Sequence, residues 1–237
     1  MTETAHPPSP EALRAHLVQL RTLRGKDAEA ASPARLLEVK QWQQDRLART
    51  YADLAADPRY AAATAFFLGD LYGPKDFSGR DEAMLKIYPS MVKLLPASAV
   101  QTAALAIEVD ALSEVLDRAL ATALGNRRLD EASYAKAYRE SSTPELRERQ
   151  IALVDEAGRR LDQLVKKPLV MRTLKLMRAP ARLAGLSELQ EFLERGFQAF
   201  AAMGDASEFL ATVGSREREI ARRLFSCLLY TSPSPRD

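Results

Sequence analysis

Apolar and polar positions along the chain separate onto different faces when they are projected with the period of an α-helix. In the segment 33–56, one side carries Leu36, Leu47, Tyr51 and Leu54. A helix of this kind buries its apolar side and leaves its polar side in water. The pattern therefore predicts amphipathic helices that pack together.

Proline marks the start of several of these helices. Proline at the first helical position costs little, because the amide hydrogen that it lacks would have no partner there. It directly follows a capping residue at Ser9-Pro10, Ser32-Pro33, Asp57-Pro58 and Thr143-Pro144. With the glycine stops, these signals predict helices over about 10–24, 33–56, 58–72, 79–95, 97–124, 130–141, 144–166, 168–178, 187–203 and 205–225.

The composition also favours helices. The 237 residues include 39 alanines against 10 valines and 4 isoleucines, and alanine favours helices whereas β-branched residues favour strands. We expect an all-α fold, an irregular bundle of about eight to ten helices. No apolar run is long enough to span a membrane, and residues 1–10 lack the features of a signal peptide, so we expect a cytoplasmic protein.

The chain divides into three parts by its pattern. We expect a leader without regular structure at 1–8, one helical domain at 9–225 and a tail at 226–237. Residues Cys227 to Asp237 of the tail resemble the translated sequencing adaptor that ends many metagenomic gene sequences. They hold the only cysteine, so the rest of the chain has no disulfide and no thiolate metal ligand.

We predict that the segment 58–72 forms the central helix of the bundle. Large side chains lie on one side and small ones on the other, at Tyr60, Thr64, Phe67 and Leu71 and at Ala62, Ala65 and Gly69, respectively. Both sides can therefore pack, and we expect the closest approach of a neighbour at Gly69, which has no side chain.

The same segment carries a family resemblance. The sequence Phe66-Phe-Leu-Gly-Asp-Leu-Tyr72 resembles that of a family of uncharacterised bacterial proteins with a Phe-Phe-Leu-Glu-Glu-Leu-Tyr motif. Gly69 and Asp70 stand where the motif has two glutamates. The resemblance implies a helical protein without an assigned activity, and it supplies no catalytic residues.

Few residues could carry catalysis. The two histidines are His6, in the leader, and His16, which we expect to be a packing or surface residue. No glycine-rich phosphate loop and no Glu-x-x-His pair occurs. We therefore name no catalytic residue, expect no metal site and no cofactor, and leave open whether the protein is an enzyme.

Carboxylates offer the remaining chemistry. Asp70, Asp76 and Asp81 lie with Tyr72 and Arg80 at one helix end and in the loop after it. An acid held against aromatic rings can have a raised pKa and bind a ligand, so these five residues form a candidate pocket. The alternative is structural, with a helix stop, a capping box and a salt bridge between Asp70 and an arginine.

A second acidic group lies on the long helix predicted over 97–124. Asp110, Glu114 and Asp117 share one face of that helix. Such a stripe can hold a divalent cation when another helix adds ligands. It is more often a solvated face or a dock for basic side chains, and that is what we expect here.

Positive charge is concentrated in 159–182, where eight Lys or Arg meet one Asp although the whole chain carries +2. The candidate residues for binding an anionic partner are Lys166, Lys167, Arg172, Lys175, Arg178 and Arg182. In the alternative, this segment packs its apolar stripe of Val170, Leu174 and Met177 on the core and leaves its charges in water. The lack of interleaved aromatic residues argues against nucleic acid.

Three functions follow from these patterns. The first is a non-enzymatic helical binding or scaffold protein, whose partner is a protein or an anionic surface. The alternative is a small-molecule-binding protein or enzyme that uses the aromatic and carboxylate pocket near 66–81. The third is nucleic-acid binding through the basic segment 159–182.

Overall fold

The computed structural model describes residues 8–25, 32–71 and 78–226. In these ranges the chain is all-α, as the sequence predicts, and contains no strand. The helices are α1 (Pro10–Arg24), α2 (Pro33–Thr50), α3 (Ala52–Ala56), α4 (Ala61–Phe66), α5 (Ser78–Leu94), α6 (Ala97–Leu124), α7 (Glu131–Ser141), α8 (Pro144–Val165), α9 (Pro168–Leu176), α10 (Arg178–Leu183), α11 (Ser187–Met203) and α12 (Ser207–Ser226). A π-helical turn, Phe67–Leu71, follows α4 directly.

Three of the four proline-led starts lie where the sequence predicts them. The side chains of Ser9, Ser32 and Thr143 each accept a hydrogen bond from the amide three residues further on, and α1, α2 and α8 begin at the next proline. The fourth predicted start, at Pro58, is wrong. Residues 58–60 form a turn in which Asp57 accepts a hydrogen bond from the Arg59 amide.

The long helix α6 lies at the centre of the packing. It contacts α1, α2, α5, α7 and α8, and its residues Leu105, Leu116, Leu120 and Leu124 are buried. Three apolar clusters fill the interior between the helices. The first joins α1, α5, α6 and α11, the second joins α2, α6, α7 and α12, and the third joins α3, α4, α11 and α12.

The prediction that 58–72 forms the central helix is wrong. The segment is divided between α4 and the π-helical turn, and its small side faces solvent, since Ala62 and Ala65 are exposed. On the predicted large side, Tyr60 and Thr64 are buried and Phe67 is partly buried, whereas Leu71 is exposed. Burying the large residues removes far more apolar area from water, which explains why this side faces inward.

Gly69 is not the point of closest approach either. A Cβ atom built on Gly69 would have no neighbour within 4 Å. The close contact is made at Gly196 of α11, where an added Cβ would lie 2.7 Å from Cζ of Phe66. Phe66, which belongs to neither of the two predicted sides, therefore packs against a glycine of another helix, whereas the space around Gly69 of its own segment is open.

The region after α8 forms two helices where the sequence predicts one, at 168–178. Pro180 does not prevent α10, because it lies in the first turn, where its missing amide hydrogen has no partner to lose. Gly185 ends α10 with φ of 71°, and the amide of Leu186 donates to the carbonyl of Ala181 at 2.8 Å. Among the described residues, no helix is long and apolar enough to cross a membrane.

Candidate functional site

The candidate pocket near 66–81 is divided in the structure. Asp70, in the π-helical turn, accepts hydrogen bonds from Nη2 and Nε of Arg195 at 2.9 and 3.2 Å. This is the salt bridge that the structural alternative predicts. Arg80 and Asp81 belong to α5 and lie in a different polar cluster, whereas Tyr72 and Asp76 lie outside the described residues.

That second cluster, here called the ion cluster, joins four helices and contains Arg24, Lys40, Arg80, Asp81, Asp110, Glu114 and Arg118. Arg24 lies at its centre. Its guanidinium donates to Asp81 at 2.7 Å, to Asp110 at 2.6 and 3.2 Å, and to Glu114 at 3.3 Å. Lys40 donates to Glu114 at 2.7 Å. Because Arg24 is on α1, Asp81 on α5 and the other two acids on α6, the ion cluster ties these helices together.

Burial and charge act against each other in the ion cluster. Burial alone would lower the pKa of Arg24, but the carboxylates of Asp110, Asp81 and Glu114 raise it overall. Burial likewise would raise the pKa of Glu114, but Lys40 and Arg24 hold it below its ordinary value. Opposite charge therefore prevails at Arg24 and Glu114, whereas burial prevails at Asp81 and raises its pKa.

The expectation that the acidic stripe of α6 is a solvated face is wrong. Glu114 and Asp117 are buried and Asp110 is mostly buried. The stripe does dock with basic side chains, which is the other form of this expectation, and these come from α1, α2, α5 and α6 itself. No group of three or more potential metal ligands is arranged to hold an ion in the part of the chain that the structure describes.

Asp117 has a side-chain hydrogen bond with Gln43 but makes no ion pair with any residue that the structure describes. Its side chain belongs to a residue that is 4% exposed, and Oδ1 has no hydrogen-bond partner among the described residues. Burial raises the pKa of Asp117 to about 6, against the opposing charges of Lys40 and Arg147. A buried carboxyl group of this kind is costly when ionised, so it makes the stability of the fold depend on pH.

The basic segment contains two kinds of cation. Some are paired within the fold: Lys166 donates to Asp162 at 2.6 Å, and Nε of Arg178 donates to Glu194 at 2.6 Å. This pairing lowers the pKa of Glu194 to about 2. Among the described residues, Lys167 donates to the hydroxyl of Ser98 at 3.3 Å. Arg172, Lys175 and Arg182 are exposed and make no ion pair with any residue that the structure describes.

Large apolar side chains are exposed in this segment and at the residue directly after it. Leu169, Leu176 and Leu183 are 71%, 77% and 88% exposed. Together with Lys167, Arg172, Lys175 and Arg182 they form what we call the α9–α10 face. Val170 and Leu174 are partly buried, as the packing alternative expects, but Met177 of the same stripe is exposed.

Sequence reasoning missed two sets of residues. The spacing of Leu169, Leu176 and Leu183 by seven positions is visible in the sequence, and it could have identified the exposed row. Arg24 and Lys40, the counter-ions of the acidic stripe, carry no such signal. They lie 86 and 74 positions before the acids that they bind, Asp110 and Glu114.

A groove of about 520 Å³ lies between α8 and α12, apart from both candidate regions. It is lined by Pro144, Glu148, Ile151, Ala221 and Phe225, and by Arg218, which pairs with Glu148 at 2.8 Å. None of the described residues of the candidate pocket takes part in it. The groove therefore gives no support to a ligand site at Asp70.

Comparison with known proteins identifies a family. A family model described as "Domain of unknown function (DUF8198)" matches residues 22–228. A search of curated proteins and a search of solved structures each gave no match to the chain. The match covers α2 to α12 and includes both the ion cluster and the α9–α10 face. The chain therefore belongs to the DUF8198 family.

Proposed function

We propose that this protein is a non-enzymatic binding protein that attaches to an anionic partner through the α9–α10 face. One observation carries the proposal: Arg172, Lys175 and Arg182 are exposed and unpaired within the described chain, and they lie beside exposed leucines. A local excess of positive charge attracts anionic surfaces and raises the rate of association with them.

The unpaired cations contrast with many other arginines of this chain. Arg216 pairs with Asp53 at 2.6 Å, and Arg46 pairs with Glu217 at 2.6 Å. Ion pairs of this kind cancel charge over a short distance, so they contribute little to the field outside the protein. The α9–α10 face keeps its charge and therefore suits a partner of opposite sign.

The small-molecule alternative lacks a comparable observation. It would be favoured by an unpaired Asp70 in a concave pocket, but Asp70 pairs with Arg195 and lies in a different place from Asp81. Nucleic-acid binding uses the same cations, but the exposed side chains between them are leucines. Aromatic rings would be needed to stack on bases.

Salt-dependent retention on immobilised heparin tests the proposal. We expect the protein to bind, and we expect the triple variant Arg172→Glu, Lys175→Glu, Arg182→Glu to elute at clearly lower salt. The matched control is Arg49→Glu, Lys93→Glu, Arg128→Glu, which changes the net charge equally at three exposed, scattered positions. Equal elution of the two triple variants would mean that overall charge alone governs retention, and the proposal would fail.

We also infer that the family includes the bacterial proteins with the Phe-Phe-Leu-Glu-Glu-Leu-Tyr motif. Phe66, Phe67, Leu68, Leu71 and Tyr72 match that motif. Asp70 keeps one acid of the motif's pair, and its ion pair with Arg195 suggests a structural role for that position.

A further inference from the structure

Three exposed leucines form a row on the α9–α10 face. Leu169 and Leu176 lie seven positions apart in α9, and Leu183 follows seven positions later in α10. Seven residues make almost two helical turns, so Leu169 and Leu176 lie on nearly the same side of α9, and Leu183 ends the next helix, α10. More than two thirds of each side chain is in contact with water. Such a row is costly in a soluble protein unless a partner covers it.

The unpaired cations lie directly next to this row. Arg172 follows Leu169 by three positions and precedes Leu176 by four, so it is a neighbour of both on the helix surface. Lys175 is three positions beyond Arg172 and extends the basic strip. The face therefore presents a leucine strip and a basic strip side by side.

The helix α10 is open to solvent on most of its circumference. Of its six residues only Ala181 is buried, whereas Arg178, Ala179, Pro180, Arg182 and Leu183 are exposed. It packs against α9 and α11. A single partner helix would cover one side of α10, whereas a fluid medium can surround all of the sides that are open.

These features distinguish between anionic partners. A soluble polyanion such as a nucleic acid or a sulfated sugar would pair with the cations but would leave the leucines in water. A bilayer that contains anionic lipids offers phosphate groups to the cations and hydrocarbon to the leucines. The two strips of the α9–α10 face match these two layers.

We propose that the anionic partner is a lipid bilayer, on which α9 and α10 lie in the headgroup region. Leu169, Leu176 and Leu183 enter the boundary of the acyl chains, and Arg172, Lys175 and Arg182 remain at the lipid phosphates. The inference rests on the proposed function and adds the chemical class of the partner. An acidic protein groove is the competing partner that the experiments below separate from it.

Vesicle binding gives the first test. We expect the protein to co-sediment with phosphatidylcholine vesicles that contain about 30% phosphatidylglycerol, and much less with phosphatidylcholine alone. The variant Leu169→Ser, Leu176→Ser, Leu183→Ser should partition about a thousandfold less strongly into the anionic vesicles, because each of the three leucines that leaves water contributes on the order of tenfold. The matched control is Leu37→Ser, Leu94→Ser, Leu146→Ser, which removes three other exposed leucines. It should bind vesicles as the unaltered protein does.

Depth of insertion gives the second test. We expect the added fluorescence of Leu183→Trp to be quenched by lipids brominated on the acyl chains, because only a ring at that depth meets bromine. Leu37→Trp is the control, since Leu37 is exposed on α2 and outside the α9–α10 face. Trp42 is present in both variants, so the difference between them reports the introduced ring.

The outcomes separate the lipid inference from the proposed function. The inference is supported if the leucine variant loses vesicle binding but keeps its retention on heparin. It is overturned if that variant binds anionic vesicles normally, if Leu183→Trp is not quenched, or if the protein binds heparin and no vesicle, which would point to an acidic protein. If the charge-reversed variant still binds both heparin and vesicles, the proposed function itself fails.

Discussion

Arg24 of α1 donates two hydrogen bonds to Asp110 of α6, at 2.6 and 3.2 Å, across 86 positions of sequence. The same guanidinium also reaches Asp81 and Glu114, so it is the shared counter-ion of three carboxylates. Arg24 lies just inside the range that matches the family, whereas most of α1 precedes it. The polar interior of the fold therefore depends on a residue at the end of its first helix.

Replacing Arg24 with alanine should destabilise the protein strongly. Asp81 would lose its main counter-ion and Glu114 would lose one of the cations that it shares, while both acids stay buried. Breaking a buried ion network by removing one partner costs about 3–5 kcal/mol. The measurement is the free energy of unfolding in urea at pH 7. Arg24→Lys should recover part of the loss, because it restores the charge but only some of the hydrogen bonds.

An exposed ion pair provides the comparison for Arg24. Arg218 and Glu148 are 2.8 Å apart, and about half of each side chain is exposed. Arg218→Ala should therefore change the free energy of unfolding by only about 0–1 kcal/mol. A loss at Arg24→Ala as small as that at Arg218→Ala would mean that water enters the ion cluster and replaces the guanidinium.

Local features of this fold can be read from the sequence because local contacts determine them. Ser9, Ser32 and Thr143 each cap the helix that follows through an amide three residues away, and these helix starts were predicted correctly. The start predicted at Pro58 is an exception, since residues 58–60 form a turn. Other wrong predictions concern which side of a helix faces inward. Projection shows that Asp110, Glu114 and Asp117 share a face, but the side chains that neutralise this face are distant in sequence. The same limit applies to the small side of 58–72, which turned out to be solvent-exposed.

Substitution by alanine should have opposite effects at Gly196 and Gly69, because only Gly196 is in close contact with another side chain, that of Phe66. Gly196→Ala should destabilise the protein by about 1–3 kcal/mol, because the new methyl group would lie 2.7 Å from Cζ of Phe66 and force the ring aside. Gly69→Ala should be neutral or stabilise the fold by about 0.5–1 kcal/mol, since space is open there and alanine favours helices. Thermal unfolding of the two variants measures both effects.

A smaller side chain at position 66 should relieve the strain from Gly196→Ala. The double variant Phe66→Leu, Gly196→Ala should therefore be more stable than the sum of the two single changes indicates. Strict additivity would show that the two residues are not in contact in solution.

Asp70→Ala should have a small effect on stability. Asp70 pairs with Arg195, whose side chain is half exposed, and pairs of this kind contribute about 0–1 kcal/mol. A double-mutant cycle with Arg195→Ala measures the coupling between the two residues. A coupling energy between Asp70 and Arg195 above about 2 kcal/mol would show that Asp70 lies in a site from which water is excluded. That result would again support the candidate pocket.

Asp117 should make the fold less stable as the pH rises through the range in which it ionises. Its pKa is about 6 in the folded protein against an ordinary value of 3.8. Between these values the folded state holds the proton more tightly, so the free energy of unfolding falls by about 3 kcal/mol as the pH rises from about 4 to above 6. Asp117→Asn cannot ionise and lacks this loss. Urea denaturation from pH 4 to pH 8 should show the variant gaining that amount relative to the unaltered protein.

A second aspartate, Asp130, shows the opposite dependence and serves as the control. Its carboxylate caps α7, and hydrogen bonds from Ser133 hold its pKa below the ordinary value. The stability that this cap contributes is fully present above the pKa that Asp130 has in the unfolded chain. It is lost as the pH falls through the lower pKa that Asp130 has in the folded protein. Asp130→Asn should therefore lose stability relative to the unaltered protein as the pH rises towards 3.8, so for this pair the urea denaturation starts well below pH 4. Asp117→Asn gains stability relative to the unaltered protein between about pH 4 and above pH 6. For each variant, the quantity compared is its free energy of unfolding minus that of the unaltered protein. If this quantity changes with pH in the same direction for both variants, Asp117 is solvated and its carboxylate is not held in the buried environment that raises its pKa.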